Sequence, residues 1–454
     1  MLAVLFLSLP LAGDPPAEPS IPARAVQETT EAASFVAIRA GRVILRAGEE
    51  LADATILVEK DRIVAIGKDL AIPQGARVIE GAVVCPGFVD PWSSLGLDAE
   101  SVQDTGTSPA TRTVDALDPW TLPGERDDAL RAGVTAARVQ VGAGAPFAGV
   151  GALVHTNEGP RPDVVLEDAC MASSLGVARG GRSPDVFDRV SEVDRLIGAL
   201  DKGRRYRESQ VDFRHELETW TKAIAEKLAE LEKDFKKAKK DREKDEKDAK
   251  EKGKEFKEKK YKEDKKPRKV RTDLDSEALA RAVEGEIPLV VEVHRASEIR
   301  RLLEKTAAFD RMRLVLAGGT ESLGFAEELV ERSIPVILWP VPMGSPRADE
   351  YAEHDLALAG ELTRAGVRVL IGSGGGDDTR DLRFLAALAV GHGMEREAAL
   401  AAITSAPAEV FDAGDRIGTL APGRTADILV FDGDPLDTSA PLRFVISGGR
   451  VVTQ

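Results

Sequence analysis

Apolar residues recur along this chain with two different periods, and the change from one to the other outlines its architecture. From Phe35 to Val84 they alternate with polar ones in FVAIRAGRVIL, ATILVEKDRIVAIG and ARVIEGAVV. Ile56, Val58, Ile63, Val64 and Ile66, on either side of a turn at Glu59 to Asp61, predict hairpins with one buried face. A matching pair, ADILVFDGD and RFVISGGRVV, stands near the other end. Chain ends often lie close together, so residues 35–85 and 414–454 are expected to complete one sheet structure.

Between these pieces the pattern changes. GVTAARVQV, PLVVEVH, RLVLAGG, IPVILWPV and VRVLIGS are continuous apolar runs of the kind buried on both faces. LRAG, ASEIRRLLEKTA, SLGFAEELVERS and EHDLALAGELTRAG have helical spacing between them. Repeated βα units over 86–200 and 272–413 predict a parallel sheet with right-handed crossovers, closed as a barrel or left open. In both forms ligands gather at the carboxyl ends of the strands.

Residues 201–271 interrupt the alternation and are foreign to it in composition. Every lysine except Lys60, Lys68 and Lys305 lies there. Phe213, Leu217, Trp220, Ile224, Leu228, Leu231 and Phe235 follow 4-3-4-4-3-4 spacing, which puts them on one helical face of coiled-coil character. Beyond Phe235 the stripe ends and charge takes over. Pairs such as Glu232 with Lys236 and Glu243 with Lys247 have the favourable acid-first order, each worth about 0.2–0.5 kcal/mol. The expectation is an inserted, solvated helix, broken near Gly253 and ended at Pro267. It serves as a spacer or as an arm that docks a partner or an anionic surface.

With 43% hydrophobic and 31% charged residues the chain has ample material for a core. Its net charge of −15 argues against a nucleic-acid partner, although the insertion is basic, with 27 Lys and Arg against 19 Asp and Glu. Met1 to Gly13 (MLAVLFLSLPLAG) is too short to span a bilayer and reads as the core of a signal peptide, with residues 14–34 as a linker. Export to the periplasm or cell envelope is the expectation. The lack of Lys or Arg at the start leaves a mis-assigned start codon as the alternative. No later run predicts an integral membrane span. Cys85 and Cys170 are too few for a disulfide framework, which leaves free buried thiols or a single bridge.

The stretch VIEGAVVCPGFVDPWSSLG, Val78 to Gly96, resembles the start of the first barrel strand in the amidohydrolase superfamily, in its imidazolonepropionase-like and prolidase-like branch. TRDLRFLAALAV, EAALAAITSAPAEVF and DRIGTLAPGRTADILVFDGDPL resemble the same family's last barrel helices and its return into the sandwich. The resemblance implies a (β/α)8 TIM-like barrel with a composite β-sandwich from both termini. It also implies hydrolysis of C–N bonds other than peptide bonds at a zinc or similar divalent ion. A Lys-rich insertion is a feature that relatives share.

Pro86, Gly87, Phe88, Val89 and Asp90 keep the family's run, but Trp92 and Ser94 stand where it implies the two metal-binding histidines. In RLVLAGGTES, Ala317 and Gly318 replace an acid and the next histidine, and in VLIGSGGGDDTRDL, Gly374 replaces the Asp that ligates metal and serves as base. At Glu292 and His294 one candidate ligand survives. A divalent ion needs three or four N/O ligands, so no metal or other cofactor is expected. The candidate chemical groups are His294, Glu292 and Asp90, with Asp377 and Asp378 as further acids. His155, His215, His354 and His392 read as ordinary histidines. SGGG at Ser373 to Gly376 lacks the Lys-Ser/Thr of a phosphate cradle, VGAGAPFAGVGAL reads as a backbone-shaping loop, and no Ser nucleophile elbow occurs.

Three functions follow as expectations. The first is a degenerate, non-catalytic family member that binds a partner, such as an active amidohydrolase paralogue or a second copy of itself. The second is an active hydrolase with a site rearranged around His294, then with a divalent metal such as zinc. The third is an envelope interaction protein that acts through the charged helix.

Overall fold

The structure is a computed structural model that describes residues 35–98, 101–102, 106–117, 123–142, 146–157, 163–175, 186–252, 265–339 and 355–452. Met1 to Gly13, the linker and His354 lie outside the described residues. The chain opens with β1 (Phe35–Arg46), β2 (Glu49–Glu59), β3 (Arg62–Gly67) and β4 (Arg77–Pro86). Eight strands follow: β5 (Phe88–Ser93), β6 (Val134–Val139), β7 (Phe147–His155), β8 (Asp163–Ser174), β9 (Leu289–Val293), β10 (Leu314–Gly318), β11 (Val336–Leu338) and β12 (Val369–Ile371). The last strands are β13 (Ile428–Phe431), β14 (Leu442–Ser447) and β15 (Arg450–Val452).

Alternation in the terminal segments produces one seven-stranded sheet in the order β15-β14-β13-β4-β1-β2-β3. β4 joins the two ends of the chain: it runs parallel to β1 and antiparallel to β13, with Cys85 opposite Leu429. Ile38, Ile56, Val84, Ile428 and Ile446 form its buried face. The hydrogen-bonded ladder is continuous across both termini, so neither piece has a complete sheet without the other. Cys85 and Cys170 are buried and free, which removes the single-bridge alternative.

β5 to β12 form a nearly closed eight-stranded barrel sheet in sequence order. The Ser373 amide donates to Asp90 Oδ1 at 3.1 Å and the Gly374 amide to the Trp92 carbonyl at 3.1 Å, which draws the end of β12 beside β5. In β9 to β12 the residues Val290, Val315, Ala317, Ile337 and Leu370 fill the barrel interior. Their neighbours Leu289, Leu316, Val336 and Val369 face the outer core. The continuous apolar runs are thus buried on both faces.

The expected all-parallel order fails in one place. β7 is antiparallel to both β6 and β8. The glycine-rich run read as a loop is itself a strand from Phe147 onward. Gly149 has φ +102°, and a Cβ there would lie 2.3 Å from the Thr111 carbonyl oxygen, so close backbone approach is what its glycines supply.

Helices α1 (Pro123–Arg131), α2 (Val186–Lys252), α3 (Leu274–Val283) and α4 (Ala296–Thr306) flank the barrel. The charged insertion is continuous with a barrel-packed helix: α2 buries Val193, Leu196 and Leu200 and runs unbroken through residue 201. At Gly203 a Cβ would meet Leu279 and Ala280 within 2.8 Å, so α2 and α3 cross at backbone contact there. Among the described residues no helix is long and apolar enough to cross a membrane.

Candidate functional site

The carboxyl ends of the barrel strands bring three of the singled-out residues into one neighbourhood. Glu292 lies on the same inward phase as Val290, and His294 follows one turn of the pleat later, so the interior periodicity of β9 carries both to the mouth. His294 is 2% exposed. Its Nδ1 is 2.7 Å from Thr320 Oγ1, and its Nε2 is 3.7 Å from Glu292 Oε1. Ser174, at the end of β8, donates its hydroxyl to Glu292 Oε2 at 2.6 Å. The imidazole, two hydroxyls and a carboxylate therefore form one polar chain across the ends of β8, β9 and β10.

Gly318 lies directly beneath that imidazole. It has φ +82°, and a Cβ there would lie 2.3 Å from His294 Cε1 and 2.6 Å from Nε2. The space that a side chain at position 318 would need is already filled by His294. Glycine is required at 318 both by backbone sign and by contact.

Asp90 is fully buried on β5. Its Oδ1 accepts from the Trp92 amide at 2.9 Å and the Ser373 amide at 3.1 Å, while Oδ2 has no hydrogen-bond partner among the described residues. Burial pushes its carboxyl up to about 7, and the hydrogen bonds and the charge of Arg138 offset this only in part. Its hydrogen bonds to both segments help to close the barrel seam. Asp377 and Asp378 lie on a short 3-10 turn, with Asp378 exposed.

The positions where histidines and the Asp were implied hold aromatic cover instead. Trp92 stacks on Trp339 with ring centroids 5.0 Å apart, and Trp339 meets the His294 ring edge-on at 5.8 Å. The Arg138 guanidinium lies 4.6 Å over the Trp92 ring and 5.7 Å from that of Phe411. It donates to the Pro91 carbonyl at 2.7 Å and to Gln140 Oε1 at 2.6 Å. At Gly374, φ is +92° and the nearest atoms to a Cβ are those of Trp339, 3.6 Å away. Ser94 abuts the Gly376 turn. These residues do not fit a divalent ion: one indole, one hydroxyl and two glycines replace nitrogen and carboxylate donors. Among the described residues no three His, Cys, Asp or Glu side chains converge as a metal site.

The cleft beside His294, lined by Thr320, Trp339 and Asp355, measures about 20 Å³. That is room for about one water, against roughly 300–1,000 Å³ for a small-molecule site.

The remaining histidines separate. His215 is on the exposed face of α2 and His392 is exposed at a helix end. His155, expected to be ordinary, is 6% exposed, and its Nε2 is 2.8 Å from Asp427 Oδ1 on the approach to β13. Burial lowers its pKa, but the charge and hydrogen bond of Asp427, with help from Asp163, outweigh that and leave it raised. Thr320, Trp339, Ser174 and Arg138 were not singled out from sequence. Only Arg138, a lone charge within the apolar run GVTAARVQV, carried a local signal.

Comparison with known proteins agrees with this architecture. The model of the amidohydrolase family matches residues 243–453. The amidohydrolase tasK of Hapsidospora irregularis is 43% identical over 58 residues, which make up 13% of this chain and 6% of that protein. The chain thus spans only a small fraction of that curated relative. The crystal structure of an amidohydrolase from Thermotoga maritima superposes with a TM-score of 0.69 at 22% identity, covering 92% of this chain and all of that one. A prolidase complexed with N-methylphosphonate-L-proline gives a TM-score of 0.51 at 14% identity, over 93% of this chain and all of its own. At such identities the likeness is one of fold.

Proposed function

We propose that this chain, whose residues 243–453 match the amidohydrolase family model, is a member of that family with a role that does not run through its metal centre: a non-catalytic protein that binds a partner. The observation that carries this reading is the mouth of the barrel. Trp92 and Trp339 stack across it, and Gly318 and Gly374 stand where ligands are implied. An offset aromatic pair contributes about 0.5–1.5 kcal/mol beyond its buried area, so the cover stabilises the barrel that a metal would otherwise tie together. Fold alone does not carry the family's activity once the site residues differ. The partner in this reading is an active amidohydrolase paralogue or a second copy. The apolar run Met1 to Gly13, read as a signal peptide, supports an encounter in the cell envelope.

The test is elemental analysis of purified protein after mild dialysis, with assay on cyclic amides and dipeptides. The expected results are far less than one zinc, iron, manganese or cobalt per chain and no metal-dependent hydrolysis. About one ion per chain with turnover would refute the reading.

One observation favours a second reading, a hydrolase rearranged around His294: the contact of 2.7 Å between His294 Nδ1 and Thr320 Oγ1, with Glu292 behind the ring. A hydroxyl, an imidazole and a carboxylate in sequence are the parts of a nucleophile with its base and its orienting acid. Under this reading any activity found on amide or ester substrates is lost in H294A and T320A alike. Activity unchanged in H294A dismisses it.

A further inference from the structure

Because β7 runs antiparallel to its neighbours, its last residue comes to the opposite end of the barrel from His294: His155 lies beside Ala136 near the start of β6. There the seven-stranded sheet meets the barrel. Asp427 precedes β13, and its Oδ1 is 2.8 Å from His155 Nε2 and accepts from the Gly448 amide at 2.9 Å. Gly448 and Gly449 have φ of +54° and +77°, the signs of a tight hairpin turn, and a Cβ at Gly449 would run into the Lys60 carbonyl. The turn is held in place from both sides, and it sets Ser447 opposite Arg450 at the joined ends of β14 and β15.

A cavity of about 340 Å³ opens between these parts, within the roughly 300–1,000 Å³ of small-molecule sites, whereas the cleft beside His294 measures about 20 Å³. His155 and Ser447, 6% and 3% exposed, are buried residues of its lining. The Ser447 hydroxyl has no hydrogen-bond partner among the described residues, a cost that a bound acceptor removes. Three arginines also line the cavity. Arg62 is engaged by Asp61 at 3.2 Å and by the Gly423 carbonyl at 3.3 Å. Arg416 donates to the Val165 carbonyl at 2.5 Å, and neither it nor Arg450 forms an ion pair among the described residues. Of the lining acids Asp61 is paired with Arg62, which leaves Asp163, bonded to Asn157 at 2.6 Å, against two guanidiniums without a carboxylate. The balance is positive. Val165 and Ile417 add apolar wall.

From the cavity, its unsatisfied hydroxyl and its two unpaired guanidiniums, we propose that this seam binds a small organic anion, a carboxylate or a phosphate monoester with a compact apolar part. Arg416 and Arg450 hold the oxyanion, whose geometry the guanidinium fork matches; Ser447 donates to it, and Val165 and Ile417 cover carbon.

The test is isothermal titration calorimetry on the full chain at low ionic strength, with phenyl phosphate and benzoate as probes. One saturable site per chain is expected for one or both. Binding of phenyl phosphate alone assigns the site to phosphate esters, and binding of benzoate alone assigns it to carboxylates. R416Q and R450Q change exposed side chains and S447A removes an unpaired hydroxyl, so all three are expected to fold as the parent does, which far-ultraviolet circular dichroism checks. Each arginine variant is expected to weaken binding roughly tenfold, and S447A by a smaller factor. No saturable binding of either probe overturns the proposal. So does binding that R416Q and R450Q leave unchanged, which puts the anion elsewhere on the surface. None of these residues belongs to the mouth of the barrel, and no outcome bears on its metal content, so this proposal and the functional reading fail separately.

Discussion

Replacing Asp90 by asparagine tests the electrostatics of the barrel seam. The carboxyl is fully buried, and burial raises it from 3.8 to about 7. Between those values the native state holds a proton that the unfolded chain has released, so stability falls as pH rises through this window and is level above it. That difference corresponds to about 4 kcal/mol. The asparagine of D90N cannot titrate. Its carbonyl keeps the acceptor role toward the Trp92 and Ser373 amides, while its NH2 replaces an Oδ2 that has no partner among the described residues. That buried amide costs about 1–3 kcal/mol at every pH. D90N is therefore expected to be less stable than the parent near pH 4.5 and more stable near pH 8, with the difference moving by about 4 kcal/mol across the window. Urea unfolding of both proteins over a pH series measures it, since all other carboxylates are common to the two and cancel. Parallel stability curves would refute the reasoning and place the folded Asp90 near its ordinary value.

Four further outcomes follow from the structure. G318A places a Cβ into the His294 ring at a positive φ and is expected to cost about 2–4 kcal/mol, read as a fall in unfolding midpoint; G318H should fail to create a zinc site for the same reason. The raised pKa of His155 means that its pair with Asp427 contributes fully below about pH 6.5 and is lost as pH rises through the folded value. D427N should therefore be most destabilising near pH 6 and progressively less so in alkali, by thermal unfolding. Burial pushes the Cys85 thiol well up and Cys170 is also buried, so neither should react with iodoacetamide until the protein unfolds, by mass spectrometry.

Much of the architecture was written locally. Period-two alternation in residues 35–84 and in the last strands required a half-buried sheet, and the apolar runs ending in VEVH, LAGG and LIGS required strands covered on both faces. Pro86 to Asp90 resemble the family's barrel frame, and Trp92 and Ser94 after them stand where that resemblance implies ligands. Only the fold decided how those positions are occupied. Trp92 and Trp339 are far apart in sequence, and nothing near either one states that they stack. Gly318 read as a lost ligand, whereas in three dimensions it is the floor on which His294 rests. His155 read as ordinary because Asp427 is 272 residues away. The antiparallel course of β7 was hidden because glycines that permit close backbone approach look, in one dimension, like those of a loop. Periodicity is a property of neighbours in the chain and survives in the sequence; register, stacking and buried ion pairs are set when distant segments close on one another.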